Sequence, residues 1–287
     1  MSRVVYVNGR YVPYAEAQIH VEDRGFQFAD SVYEVCEVRD GRIIDERRHL
    51  ARLNRSLKEL RIATPMNDAC MQVVFGEVLR RNRVRDGLIY LQVTRGTARR
   101  EFLFPEPPVA PTLVVIARHV PAGKGEAVAQ SGISVITIPE NRWSRVDIKT
   151  TGLLPNVLAK MQAKEKGARE AWFVDCDGYI TEGGSSNAWI VTKDNVLVTR
   201  PAETGILRGV TRTTLFDLAR KEGLRIEERA FTVEEAKAAK EAFISSATTI
   251  ATSVVKIDDA VIGEGRPGPV VAGLRKGFHL IAEWRAI

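Results

Sequence analysis

The stretch RVDIKTTGLLPNVLAK, residues 145–160, sets Lys149 between a short apolar run and a turn. Taken by itself, a lysine belongs on a solvated surface. Here ISVITIP and VDI precede it and the small, β-branched TTG follows, a setting that can hold the amine partly buried. Burial disfavours the ammonium and lowers the pKa, leaving a neutral amine able to attack a carbonyl and form a Schiff base. In YITEGGSSNAWIVT, residues 179–192, the carboxylate of Glu182 leaves a strand, two glycines release the backbone, and two hydroxyls precede a new strand. This is either a plain hairpin with a surface carboxylate, or a close backbone approach to a ligand with the carboxylate aimed at a cationic heteroatom. In GILRGVTRTTLFDLA, Gly209 bends the chain and Val210 and Thr211 open a helix. The free N–H groups of that first turn make an anion site. FISSATT adds a strand end at Ser246 and Ala247, where backbone N–H groups can also meet a phosphate.

Other chemistries lack their residues. GEGRPG, Gly263 to Gly268, matches a dinucleotide-loop spacing, but only 19 residues follow it, too few for the rest of a βαβ unit. It reads as a hairpin-to-helix turn. His20, His49, His119 and His279 have no paired metal-ligand spacing, so each is structural and no metal is expected. There is no GxSxG elbow and no Walker loop. Lysine is left as the nucleophile.

The first third reads as strands, then helices, then strands. VVYVNGRYV and SVYEVCEVRDGRIIDE carry hairpin signals at Asn8-Gly9 and Asp40-Gly41. Leu50, Leu53, Leu57 and Leu60 fall at helical spacing, and ACMQVVFGEVLRRNRV makes a second helix. GLIYLQVTRG and PTLVVIARHV return to strands, giving a small α+β domain over residues 1–120 that ends at the Pro/Gly linker signal VPAGKGEAVA. Residues 121–287 form a larger domain closing on the helix VVAGLRKGFHLIAEW. There strands outnumber the helices between them and many join by tight turns, which predicts a mixed or closed sheet over a doubly wound one.

With 287 residues, 45% of them hydrophobic, the chain can bury a substantial core. No apolar run reaches membrane-spanning length, and MSRVVYVNGRYV alternates like a strand instead of forming a signal-peptide core. The expectation is a soluble, unexported protein. Cys36, Cys70 and Cys176 are scattered and odd in number, which fits a reducing cytoplasm. The net charge of +6 is spread along the chain; without a basic stripe interleaved with aromatics, no nucleic-acid partner is expected. Small anionic ligands suit this balance.

The order DIKTTGLLPNVLAK, TEGGSSN, GILRGVTR, FISSATT, preceded by EDRGFQFADSVYEV and HLARL, closely resembles the class IV pyridoxal-phosphate aminotransferases, the D-amino acid and branched-chain group. The match spans nearly the whole chain. It implies a fold-type IV enzyme with a small N-terminal α/β sandwich and a larger C-terminal domain built on a mixed, barrel-like sheet. By the resemblance, Lys149 holds pyridoxal 5'-phosphate and shuttles the proton at the substrate Cα. Glu182 sits against the pyridine nitrogen and keeps it protonated. Arg52, in HLARL, matches the family's phosphate-binding arginine, with Val210, Thr211, Ser246 and Ala247 supplying N–H groups. Leu207 packs beside the ring and Ser185 lies near it. Without the resemblance, Arg52 reads as the polar side of an amphipathic helix.

Within the family, RGFQFADSVYEV and TRGTARREFLFPE look more like the D-amino acid aminotransferases than the branched-chain enzymes. In that group a tyrosine at the position of Tyr33 and an arginine after the RGT strand meet the substrate carboxylate. Arg100 matches that arginine, with Arg99 as its immediate alternative. The usual histidine two positions on is replaced by Phe102, which removes a donor from the carboxylate trap; Ala247 stands where a phosphate-binding threonine can occur. The expectation is transamination between a D-amino acid, D-alanine first, and a 2-oxo acid such as 2-oxoglutarate or pyruvate. An (R)-selective amine aminotransferase, a branched-chain L-amino acid aminotransferase and aminodeoxychorismate lyase keep the same cofactor with other substrates. A homodimer follows from the family, whose members place one subunit's substrate loop over the partner's site.

Overall fold

A computed structural model of the chain describes residues 3–121, 123–203 and 205–286. It divides into two compact units, Met1–Ala122 with Ile148–Gly152 and Glu283–Ile287, and Gly123–Asp147 with Leu153–Ala282. The first unit begins with β1 (Val4–Val7) and β2 (Arg10–Pro13), followed by α1 (Arg24–Phe28), β3 (Ser31–Arg39), β4 (Arg42–Ile44), α2 (Glu46–Glu59), α3 (Asp68–Asn82), β5 (Gly87–Thr94) and β6 (Thr112–His119). Both expected hairpins form. Asn8 and Gly9 have φ of 44° and 88°, and Asp40 and Gly41 have 51° and 71°, the paired positive values that join strands with the right twist. In α2, Leu50, Leu53 and Leu57 are each at most 2% exposed. They pack with Phe75, Val78 and Leu79 of α3 against Val32, Ile89 and Leu91 of the sheet, each contributing roughly 1.5–3 kcal/mol by burial. The Asn67 side chain caps α3 by accepting from Cys70 N at 2.8 Å.

The second unit runs α4 (Lys124–Ser131), β7 (Ile133–Pro139), α5 (Leu154–Glu165), β8 (Glu170–Val174), β9 (Ile180–Gly183), β10 (Asn187–Val191), β11 (Leu197–Thr199), α6 (Val210–Lys221), β12 (Ile226–Glu228), α7 (Val233–Lys237), β13 (Glu241–Ser246), β14 (Ile250–Ile257), β15 (Ala260–Val261) and α8 (Pro269–Ile281). Its sheet has the order β12-β11-β10-β13-β14-β7-β8-β9, with β15 beside β14. The pairs β11–β12, β14–β7 and β7–β8 are parallel and the others antiparallel. At the end of the path β9 turns straight into β10, where Gly183 N donates to Ser186 O at 2.6 Å. The sheet thus curls back on itself, mixed and barrel-like as expected. Trp172, Ile190, Val198, Phe231 and Ile257 fill one of its cores.

Two local expectations change. Part of VPAGKGEAVA is the helix α4, with glycines at its two ends: Gly123 of that stretch is the N-cap at φ 83° and Gly132, beyond it, the C-cap at φ 72°. Ala122 of that stretch lies outside the described residues. The closing helix stops at Ile281, and β16 (Trp284–Ala286) pairs antiparallel with β4, completing the first unit's order β16-β4-β3-β5-β6-β1-β2. Asp45 seals this pairing, its N donating to Glu283 O at 2.8 Å and its Oδ1 accepting from Glu283 N at 3.0 Å. No described helix is long and apolar enough to cross a membrane.

Candidate active site

Within the first unit, Ile148–Gly152 lies antiparallel to the start of β3. Tyr33 N donates to Lys149 O at 3.0 Å, Thr151 N to Ser31 O at 3.3 Å, and Val32 bridges Thr150. The Ser31 and Thr151 hydroxyls are also bonded to each other. Ile148, 3% exposed, enters the core, and by strand alternation its neighbour Lys149 points the other way. The half-buried Lys149 side chain brings Nζ to 4.3 Å from the Tyr33 ring centroid, a cation–π distance that holds the amine in place. Tyr33 in turn lies 5.8 Å from Tyr90, whose hydroxyl donates to Gln92 at 2.6 Å. Burial and the neighbouring Tyr33 push the Tyr90 phenol up to about 12, so it remains a donor at neutral pH.

The next residue of β3 faces the opposite side. Glu34, 0% exposed, accepts from Arg52 Nε and Nη2, both at 2.7 Å, and its Oε2 lies 2.7 Å from His49 Nδ1. Burial alone would raise this carboxyl; the Arg52 charge and the two sets of hydrogen bonds outweigh it and bring the pKa to about 2. Burial works against the Arg52 cation too, and Glu34 more than reverses that, raising the guanidinium pKa. The side-on pair fixes the plane and direction of the Arg52 fork. Arg52 is therefore more than the polar side of a helix: it is a largely buried, oriented cation.

Arg100 and Arg99 are both exposed. The Arg100 guanidinium is 5.0 Å from the Phe28 ring and 5.9 Å from the Phe102 ring, and these rings lie 5.6 Å apart. Phe102 is 78% exposed. The position of the missing donor thus holds an apolar ring beside the cation.

In the second unit Glu182, 5% exposed, is the hub. Its Oε1 accepts from Arg142 Nη1 at 2.6 Å, and its Oε2 from Asn187 Nδ2 at 3.1 Å and Leu207 N at 3.0 Å. Arg142 also donates from Nη2 to Glu140 Oε2 at 2.6 Å and stacks over Phe173 at 4.3 Å. Burial opposes the Arg142 cation, but the bonds to Glu140 and the charge of Glu182 win and raise its pKa. Glu182 is accordingly paired with a cation inside the fold. The plain surface-hairpin alternative for TEGGSSN is excluded by this burial. Leu207 bears on Glu182 through its backbone: its carbonyl also accepts from Asn187 Nδ2 at 2.8 Å. The Ser185 hydroxyl donates to the buried Glu170 at 3.1 Å.

Helix α6 starts at Val210, with Gly209 as N-cap and no side-chain cap. The first-turn N–H groups of Val210 and Thr211 consequently have no partner within the helix. A Cβ on Gly209 would meet Asn187 Oδ1 at 2.2 Å, so Asn187 can hold both Glu182 and Leu207 only because residue 209 is glycine. Gly209→Ala is expected to displace Asn187, costing about 1–3 kcal/mol and lowering Tm by roughly 3–10 °C. Calorimetry checks this, and an unchanged Tm contradicts it. Ser246 ends β13 and Ala247 begins the tight turn to β14; the Ser246 hydroxyl bonds Thr249 Oγ1 at 2.8 Å.

Sequence reasoning missed Glu34, Arg142 and Asn187. His49 and Arg52, three apart on a helix, share a face, which was a usable signal for a joint acceptor. Arg142 gave none, because its acceptor lies 40 residues onward. Among the described residues no group of three His, Cys, Asp or Glu side chains could hold a metal ion.

Residues 31–257 match the family model described as Amino-transferase class IV. The D-alanine aminotransferase of Bacillus licheniformis is 40% identical over 275 residues, 96% of this chain and 95% of that protein. Among solved structures, a branched-chain amino acid aminotransferase of Escherichia coli superposes with a TM-score of 0.92 at 26% identity, covering 98% of this chain and 95% of that one. A hypothetical aminotransferase from Mycobacterium tuberculosis, in its PLP-bound form, gives a TM-score of 0.82 at 26% identity, covering 96% of this chain and 98% of that one.

Proposed function

From the premise that this chain belongs to the class IV aminotransferases, we propose that it transfers the amino group of a D-amino acid, D-alanine first, to a 2-oxo acid, using pyridoxal 5'-phosphate. The substrate class is supported by the near-full-length likeness to D-alanine aminotransferases. The cofactor is supported by the donor set. A half-buried amine is held over an aromatic ring (Lys149), and a buried carboxyl group is paired with an arginine (Glu182 with Arg142). An oriented guanidinium (Arg52) and an uncapped helix start (Val210, Thr211) complete the set. These are the types that an aldehyde, a ring nitrogen and a phosphate require.

The cofactor, when bound, supplies the aldehyde that takes the amino group and a ring that draws electrons from Cα. Lys149 Nζ carries the cofactor and is the base for the Cα proton. Glu182, oriented by Arg142, Asn187 and the Leu207 N–H, would accept the ring N–H. Arg52, Val210, Thr211 and the turn at Ser246–Ala247 bind the phosphate; Leu207 and Ser185 border the ring. Tyr33 and Arg100 receive the substrate carboxylate, and Phe102 lines that end with a ring. A homodimer is supported by the exposed apolar stripe Leu154, Val157, Leu158 and Met161 on α5. Free cysteines at 36, 70 and 176 support a cytoplasmic setting.

The structural likeness to branched-chain enzymes favours one second reading, an L-amino acid donor. Mixing holoenzyme separately with D-alanine, D-glutamate, L-leucine and (R)-1-phenylethylamine, and following the cofactor's absorption band, decides between them. D-alanine is expected to discharge the band fastest; discharge by L-leucine alone would sink the D-specific reading.

A further inference from the structure

We infer that Arg24, Asp30 and Arg95 form a buried clamp that positions Arg100, fixing the loop after β5 before any carboxylate arrives; this rests on the carboxylate role given to Arg100 above. Asp30 accepts from Arg24 Nε at 2.8 Å and from Arg95 Nε and Nη2 at 2.7 and 2.9 Å. The Asp30, Arg24 and Arg95 side chains are 12%, 4% and 8% exposed. Each guanidinium then reaches past the carboxylate to backbone. Arg24 Nη1 donates to Glu101 O at 2.6 Å, next to Arg100, while Arg95 donates to Arg61 O at 2.8 Å and Leu60 O at 2.7 Å.

The loop is held on both sides of Arg100. Before it, Arg24 N donates to Gly96 O at 2.9 Å, Ala98 N to Glu22 O at 3.3 Å, and Asp23 bridges Thr97. After it, Phe104 packs under the Arg95 guanidinium at 3.6 Å. Phe28 joins clamp to cargo, with Arg24 at 4.8 Å and Arg100 at 5.0 Å from its ring. A buried ion cluster of this kind contributes geometry more than net stability. A long cation on a free loop must be ordered when its ligand binds, which weakens affinity; a clamped loop has that ordering done beforehand. This matters more where Phe102 has removed a second donor, because Arg100 must then hold the carboxylate without it.

The test uses holoenzyme with Arg24→Met, which keeps an apolar stem against Phe28, and the isosteric Asp30→Asn as a second variant. Each is expected to raise KM for D-alanine about tenfold with kcat within about twofold, and to speed tryptic cleavage after Arg99 or Arg100 at least about fivefold. In an Arg100→Gln background the same changes should add nothing to KM, since residues acting as a unit are not additive. If the clamp variants leave KM and cleavage at parent values, or raise KM equally without Arg100, the clamp is overturned while the role of Arg100 stands. If Arg100→Gln itself leaves KM unchanged, the carboxylate role falls and this inference with it.

Discussion

Lys149→Ala is expected to lower kcat by at least about 10⁴-fold, the upper range for losing a positioned acid–base group, with the added loss of the covalent attachment. The expectation follows from how the lysine is held. Its carbonyl and the following Thr150 and Thr151 pair with β3, its neighbour Ile148 is anchored in the core, and its amine lies 4.3 Å over Tyr33. The holders of the cofactor's other end are untouched by the change, so the variant should still take up cofactor without covalent attachment. Borohydride reduction should fix cofactor to the parent protein on the peptide containing Lys149 and leave the variant unlabelled. Ethylamine in the buffer should restore part of the rate, because a diffusing amine can replace a missing base but not its placement. Turnover by Lys149→Ala at the parent rate sinks the assignment.

Features governed by neighbours in sequence were legible. The positive-φ demands of Asn8-Gly9 and Asp40-Gly41 are intrinsic to those residue pairs, and the Leu50, Leu53 and Leu57 stripe is a periodicity with one physical cause. The mixed, curled sheet followed from counting strands against helices. The strand β16 was not legible because three residues are too few to show an alternation of their own; its warrant is β4, from the far end of the chain. The short α1 is similar, defined by the Asp23 side chain accepting from Gly25 N.

At the site, residue types were readable and their partners were not. TEGGSSN and GVTR announce a released backbone and a helix start by composition. That Glu182 is buried against Arg142, and that Gly209 leaves room for Asn187, are facts of packing. Glu34 is the sharpest case: SVYEVCEV puts carboxylates in both phases of the strand, so alternation could not tell the buried one from the other, Glu37. Only α2 laid across that face makes position 34 an ion-pair site.

Glu34→Gln is expected to destabilise the first unit by about 3–5 kcal/mol at pH 7, since removing one partner leaves the Arg52 cation buried without its counter-charge. The parent's pH dependence carries the same information. The Glu34 carboxyl is lowered from 4.5 to about 2 in the fold, so between those values the unfolded chain binds more protons than the native one. Stability from this group is therefore complete above about pH 4.5 and drains away as pH falls toward about 2, amounting to about 3 kcal/mol by linkage. Urea unfolding at pH 7, 4 and 3 should show the parent losing stability across that window, with Glu34→Gln flatter by about one proton. Equal slopes in parent and variant contradict the assignment. The double change Glu34→Gln, Arg52→Met should recover part of the stability lost by the single one, because it removes the orphaned charge. It should not recover cofactor affinity, because the oriented cation is gone. Stability and cofactor binding moving apart in this way separates an arginine kept for the phosphate from one kept for the core.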